Sequence, residues 1–429
     1  MRSAHHTLPA RSRRLAATLA LLAALAMAPV VAQEDVAAEA DTTAAAVDAA
    51  ATTDSTAAAV GVDAAAAAVE LVDPALLASE LAPLATQSLL LGITASDQRA
   101  IAVGERGHIV VSESRDDWRQ VKGVPTRTTL TAVTALGSQA WAVGHAQVIL
   151  HSTDGGLSWE RQHVDPYDPD DFDDIANGAP LLDVLFLDER NGFAIGAYGL
   201  LLQTSDGGAS WQRGSVSAVA TAAAGDAAAD GATDAAGDDA LAGDGSAADG
   251  ADDAAADGEE DSSWTFSDED LELEELSDPH LNAIARTGSG GLLIVAERGS
   301  AFRSRDQGRT WERLSIPYDG SMFGVLGFEG ERVLVFGLRG NVFESSDLGS
   351  TWTAIDSGTE QSLQGGTVLP DGGAALVGSN GVVLVRRGAG EPFSEHAIDE
   401  GGALADAVAV GESGLVVVGD RGVRRISPN

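Results

Sequence analysis

Four arginines stand third in a repeated four-residue segment: Arg106 in Gly104-Glu105-Arg106-Gly107, Arg298 in Ala296-Glu297-Arg298-Gly299, Arg339 in Gly337-Leu338-Arg339-Gly340 and Arg421 in Gly419-Asp420-Arg421-Gly422. The planar guanidinium fork matches carboxylates and main-chain carbonyls, so such an array suits an acidic or main-chain-rich protein partner. The competing reading is local: each arginine caps its own turn or pairs weakly with a neighbour such as Glu105 or Glu297. The setting is strongly acidic, with a formal net charge of −39. That balance argues against nucleic acid, which needs a basic face, and against an anionic membrane surface.

A second set of residues carries aspartate. One copy reads Ser152-Thr153-Asp154-Gly155-Gly156-Leu157-Ser158-Trp159, and another Thr204-Ser205-Asp206-Gly207-Gly208-Ala209-Ser210-Trp211. Later copies keep Ser304, Asp306, Gly308 and Trp311, then Ser345, Asp347, Gly349 and Trp352. An Asp carboxylate in a turn accepts the turn's own N–H groups, glycine supplies the left-handed backbone, and Trp folds back to fill space. No ligand is needed for that, so these residues read as structural.

Acids also cluster in Asp165-Pro166-Tyr167-Asp168-Pro169-Asp170-Asp171-Phe172-Asp173-Asp174. Several oxygens suit calcium, but the ordered glycine and closing glutamate of an EF-hand are missing. The stretch reads as a solvated loop, with a shield over the arginines as a further reading. No histidine joins a metal-ligand motif, and His108 and His145 are expected at the surface. Neither a metal nor a cofactor is assigned.

These residues need a frame, and an internal repeat supplies it. Two apolar β-runs meet at a short turn seven times, the other three being Gly144-His145-Ala146-Gln147, Gly196-Ala197-Tyr198-Gly199 and Gly378-Ser379-Asn380-Gly381. The turns begin 40, 52, 100, 41, 41 and 41 residues apart. The two long spacings contain the acidic loop and an Ala/Asp/Gly stretch. A period near 41 is that of four-stranded propeller blades. Leu90, Leu130, Leu181, Leu281, Met322, Leu363 and Leu404 keep the same phase at the head of each first strand. Two residues on stands Gly92, Ala132, Asp183, Ala283, Gly324, Gly365 or Asp406. Small or polar residues suit an innermost strand. The pattern predicts an all-β, seven-bladed propeller of four-stranded antiparallel blades. All Gly-x-x-Gly turns then share one face, the top, and the Asp motifs share the other. The seventh unit lacks a fourth strand, and residues 69–84 are expected to supply it, since a propeller closes its ring or exposes sheet edges.

Residues 1–32 read as a signal peptide: Arg11, Arg13 and Arg14 precede a short Leu/Ala run, with Val30 and Ala32 before the cleavage site at Gln33. Residues 33–68 form an Ala/Asp/Thr tether too poor in apolar groups to fold. The propeller spans 69–429, interrupted by the low-complexity acidic insertion 214–263. The tether and the insertion are expected to be disordered. The chain contains no cysteine, which fits a periplasmic or secreted protein.

The motif Ser/Thr-x-Asp-x-Gly-x-Ser/Thr-Trp is the Asp-box, or BNR-like, repeat. Together with turns such as the one in Phe193-Ala194-Ile195-Gly196-Ala197-Tyr198-Gly199, it makes the region from Leu89 to Ile426 resemble the photosystem II stability and assembly factor-like family, found also in non-photosynthetic bacteria. The resemblance implies an exported, non-enzymatic protein-binding scaffold, an assembly or accessory factor for a membrane or export complex. The sequence departs from the family in its acidic insertion and its degenerate sixth and seventh repeats. The alternative is a sialidase-like glycoside hydrolase, since those enzymes share the Asp-box propeller. Three converging arginines and a Tyr/Glu pair would be required. Only Tyr167, Tyr198 and Tyr318 are present, and no catalytic residue is assigned.

Overall fold

The middle β-run of each repeat is apolar without interruption, as a strand covered on both faces must be. A computed structural model describes residues 72–96, 98–171, 174–216, 278–398, 401–411 and 414–428. The segments read as signal peptide and tether, and most of the insertion, lie outside the described residues.

Each repeat is an antiparallel meander. Blade 1 holds β1 (Leu90–Ala95), β2 (Ala100–Gly104), β3 (Ile109–Ser112) and β4 (Arg119–Gln120). Blade 2 holds β5 (Leu130–Leu136), β6 (Gln139–Gly144), β7 (Ile149–Ser152) and β8 (Glu160–His163). Blade 3 holds β9 (Leu181–Phe186), β10 (Gly192–Gly196), β11 (Leu201–Thr204) and β12 (Gln212–Arg213). Blade 4 holds β13 (Leu281–Arg286), β14 (Leu292–Ala296), β15 (Ser300–Ser304) and β16 (Glu312–Ser315). Blade 5 holds β17 (Met322–Gly327), β18 (Val333–Gly337), β19 (Val342–Ser345) and β20 (Thr353–Ile355). Blade 6 holds β21 (Leu363–Val368), β22 (Ala374–Gly378), β23 (Val382–Arg386) and β24 (Ser394–Ala397). Blade 7 holds β25 (Leu404–Val410), β26 (Gly414–Gly419) and β27 (Gly422–Ile426).

The first strands pack side by side in a closed circuit, β1 against β5 and so on to β25 against β1. The fold is therefore the expected seven-bladed β-propeller. Alternation along the middle strands sends one set of side chains toward each neighbouring blade. Ile101 and Val103 join Leu130, Ala142 and Leu150 in the seam of blades 1 and 2. Ala102 and Val110 turn instead toward Val416 and Val418 of blade 7. There are seven such apolar seams among the described residues, and they replace a single central core. The inner strands approach so closely that a β-carbon on Gly92 would lie 2.9 Å from the Cα of Ala132.

The ring closes differently from the sequence expectation. Residues 69–84 form no strand among those described. Asp73 caps a 3-10 turn at Pro74–Leu76 through its Oδ1, 2.7 Å from the Ala75 nitrogen. The chain then runs as a strap beside blade 1. Ser79 N donates to Val124 O at 2.9 Å, and Ala82 N to Gln120 Oε1 at 2.8 Å. A second turn, Ala85–Gln87, sits in the apolar seam of blades 7 and 1 with Leu90, Val416 and Val418. Pro74 and Pro83 lack the N–H a ladder needs, which is why the run straps instead of pairing. Inner-strand packing and this seam close the ring, and blade 7 shows three strands among the described residues.

Candidate partner-binding face

The second strand returns to the end of the blade where the first began, so every turn between second and third strands lies on the top face. Six of the seven turns are clamped to the residue just before their own inner strand, among them Glu105 N to Leu89 O and Leu338 N to Ser321 O at 3.0 Å and Asp420 N to Ala403 O at 3.1 Å. In the Arg298 turn His280 N donates instead to Glu297 Oε2 at 3.4 Å. In three of the arginine turns the third residue is left-handed, with φ of 54° at Arg106, 53° at Arg298 and 57° at Arg339. The next residue is also left-handed and must be glycine. A β-carbon on Gly107 would stand 2.2 Å from Thr126 O. The paired left-handed residues lift the arginine side chain away from the blade. Arg421 differs: Gly419 pairs directly with Gly422, and the turn is two residues long.

Arg106, Arg298, Arg339 and Arg421 are all exposed. Blades 4 and 5 are neighbours, as are 7 and 1, so the four fall into two pairs on adjacent blades. Arg106, Arg339 and Arg421 form no ion pair among the described residues. Glu297 faces His280 at 3.6 Å. The remaining turns present Tyr198, edge-on to His280 at 4.8 Å, and Asn380, whose Nδ2 donates to Gln361 Oε1 at 2.7 Å.

Two sequence expectations change on this face. His108 is not a surface residue but 4% exposed. It follows the left-handed glycine, turns under the strap and places Nδ1 3.0 Å from Ser88 Oγ. Burial lowers its pKa. His145 is half-buried, and its pKa is lowered by the same cause. The acidic loop between blades 2 and 3 is held by its own neighbours. Asn177 Nδ2 donates to the carbonyls of Asp168 and Asp171, and Gln147 Nε2 to Asp165 Oδ2. Arg213 bonds Asp174 at 2.8 Å and lowers that carboxyl's pKa.

On the bottom face the four aspartate turns repeat one geometry. Asp154 Oδ1 accepts from Leu157 N and Ser158 N at 2.9 Å and from Ser152 Oγ at 2.8 Å. Its Oδ2 accepts from Ser158 Oγ at 2.6 Å. Asp206, Asp306 and Asp347 repeat the bonds to both flanking hydroxyls and to the nitrogen four residues on. Partial burial pushes the Asp154 carboxyl up, but the bonds from Ser158, Ser152 and Leu157 bring it down to about 2. Ser210 and Thr204 hold Asp206 at about 2, and Thr351 and Ser345 do the same for Asp347. Carboxylates so occupied have little left for a ligand. Trp159, Trp211, Trp311 and Trp352 fill the seams with the preceding blades, as the motif implied.

Sequence reasoning missed two arrangements. Arg386 is 1% exposed and bonds both oxygens of Glu344 at 3.0 and 3.1 Å, with Arg332 on the same carboxylate at 3.1 Å. The available signal was that Arg386 stands where other blades carry the motif's first Ser or Thr. The second is a pair of inner-strand acids. Asp183 Oδ2 accepts from Ile284 N of blade 4 at 2.8 Å, and Asp406 Oδ2 from Ile93 N of blade 1 at 3.1 Å. Each also accepts from the residue after it. Burial raises Asp183 to about 6 and Asp406 to about 7, each acting against its N–H bonds.

No protein-family model and no curated protein matches the chain. Solved structures do. A structure of YCF48 bound to D1 peptide is 15% identical with a TM-score of 0.54, over 84% of this chain and 100% of the other. YCF48 from Cyanidioschyzon merolae is 15% identical with a TM-score of 0.52, over 81% and 97%. The WD40 propeller domain of Doa1 is 9% identical with a TM-score of 0.51, over 83% and 96%. At such identities the likeness establishes the propeller fold.

Proposed function

We propose that the chain is an exported, non-enzymatic scaffold that captures an acidic or main-chain-rich protein segment on its top face. Arg106, Arg298, Arg339 and Arg421 are its contact residues. The observation that carries this reading is their exposure at equivalent turns of a chain with net charge −39. Exposed cations against such a background steer and orient an acidic partner. The four aspartate turns, read as Asp-boxes, keep the opposite face structural. YCF48, a propeller of similar fold, is seen bound to a D1 peptide, which supports peptide capture as the role here. The reading of residues 1–32 as a signal peptide and this likeness support an assembly or accessory role for a membrane or export complex. Tyr167 and Tyr198 are exposed on different loops, and Tyr318 packs in the seam of blades 4 and 5. That scatter supports binding over sialidase-like chemistry.

The test is crosslinking in the native cells, with melting temperature measured in parallel. Changing Arg298 and Arg339 together to Glu is expected to leave melting unchanged, since exposed arginines add little stability. Partner yield is expected to fall, with a loss that shrinks as salt rises. Unchanged yield would remove the arginine face as the site. Export is checked by N-terminal sequencing of the mature protein, expected to start at Gln33.

A further inference from the structure

We infer that the outer edge of β27 is a second docking site, which takes an extended, carboxylate-bearing segment of a partner protein as the fourth strand of blade 7. In the other six blades a fourth strand covers the third. β27 pairs with β26 alone among the described residues. Its side chains show the missing cover. Val423 is half-buried, whereas Ile109, its counterpart in blade 1, is 0% exposed.

Arg424 says what the missing strand carries. Register places it opposite Val417, as Val110 stands opposite Ala102 and Phe343 opposite Val335. The equivalent residues in the other six blades are Val110, Leu150, Leu202, Phe302, Phe343 and Leu384, all buried and apolar. Blade 7 alone has a cation here. Its Nε and Nη1 are enclosed without a hydrogen-bond partner. Arginines that merely guard a sheet edge against aggregation keep their charge in water. A guanidinium with enclosed, unsatisfied nitrogens instead calls for an acceptor. A carboxylate on an added strand supplies one bidentately, while the strand's main chain bonds β27. Arg425, the next residue, already bonds Asp116 at 2.7 Å, so Arg424 is the residue left for the partner. The strap fixes the edge in place: a β-carbon on Gly422 would lie 2.1 Å from Thr86 O.

The proposal is independent of the top-face arginines, and the experiment separates the two. The mature chain is titrated with a fluorescein-labelled Val-Glu-Val-Glu-Val-Glu peptide and read by anisotropy. Saturable binding is expected. It should weaken by about tenfold or more when Lys replaces Glu, or when alternate peptide nitrogens are methylated. Arg424→Gln should weaken the methylation-sensitive part of the binding by about tenfold, while Arg298→Glu with Arg339→Glu leaves that part unchanged. Equal binding by the methylated peptide would overturn strand addition, whether or not the Arg424 variant folds. Insensitivity to Arg424→Gln in a folded variant would overturn the assigned contact. Deleting residues 33–71 is expected to leave affinity unchanged. A rise on deletion would give the edge to the chain's own tether and overturn a partner as its occupant.

Discussion

Blades 2 to 5 and blades 6 and 7 solve the same problem by different means. In blades 2 to 5 the loop after the third strand holds itself together. A Ser or Thr, an Asp and a second hydroxyl, all within seven residues, satisfy one another. Blades 6 and 7 have lost that loop, and ion pairs between blades stand in its place. Arg386 reaches back to Glu344 of blade 5, and Arg425 reaches forward to Asp116 of blade 1. A local motif stabilises a turn, whereas a long-range pair stabilises a seam. The ring can lose the first where it gains the second. The two pairs differ in burial: Arg386 is 1% exposed and Arg425 46%.

The largest expected effect breaks the buried pair. Glu344→Ala leaves the Arg386 guanidinium enclosed without its carboxylate, an arrangement that costs about 3–5 kcal/mol. The urea midpoint is expected to drop accordingly. Replacing Glu344 and Arg386 together with Met should recover most of the loss, because paired charges exchanged for well-packed apolar groups are often neutral. A double variant as unstable as Glu344→Ala would show that the charges themselves hold the seam.

Next comes pH, which sets the loop acids against the inner-strand acids. Asp154, Asp206 and Asp347 sit at about 2, below their ordinary 3.8. Between those values the unfolded chain binds more protons, so their contribution is lost as pH falls from about 4 to 2. Asp406 and Asp183 lie at about 7 and about 6, above 3.8. Between 4 and 7 the folded chain binds more protons, so stability declines as pH rises through that window. Burial lowers His108, His145, His151 and His163 from their ordinary 6.5, and these groups favour the fold as pH rises, against the acids. The contribution of the acids is therefore read as the difference in slope between parent and variant. Asp406→Asn, which mimics the protonated acid, should flatten the decline by an amount on the order of 2 kcal/mol. An unchanged slope in that variant would place the titration elsewhere.

The local loops give a smaller effect. Asp154→Ala removes four hydrogen bonds from one turn and should cost about 1–2 kcal/mol, as loss of a helix cap does. Differential scanning calorimetry would show it as a modest lowering of the melting transition. This contrast also explains what could be read from the sequence. The box, the glycine turns and the inner-strand leucines recur with a fixed period and act within a few residues of themselves, so pattern alone exposed them. Arg386 and Glu344 are 42 residues apart and occur once; the sequence showed only that a serine was missing. The strap was misread because a missing strand suggested a replacement strand, although Pro74 and Pro83 argued against a ladder. His108 looked like a surface residue because the strap that covers it was assigned elsewhere.

The smallest effect sharpens the comparison most. Arg425 Nη1 reaches both oxygens of Asp116, at 2.7 and 2.9 Å. By distance alone it would rank with the Glu344 site, where two nitrogens of Arg386 meet the two oxygens. Both of its side chains, however, are about half exposed, at 46% and 56%. Water solvates them well in the unfolded chain and almost as well in the folded one, so the net gain is small. Arg425→Ala is expected to cost less than about 1 kcal/mol, and 1 M salt should erase most of the difference between variant and parent. Melting temperatures of both proteins at low and high salt decide the matter. A loss as large as that of Glu344→Ala, unchanged by salt, would mean that the seam between blades 7 and 1 is the weak point of the ring. The inter-blade pairs would then have to be ranked by their place in the circuit, with burial secondary.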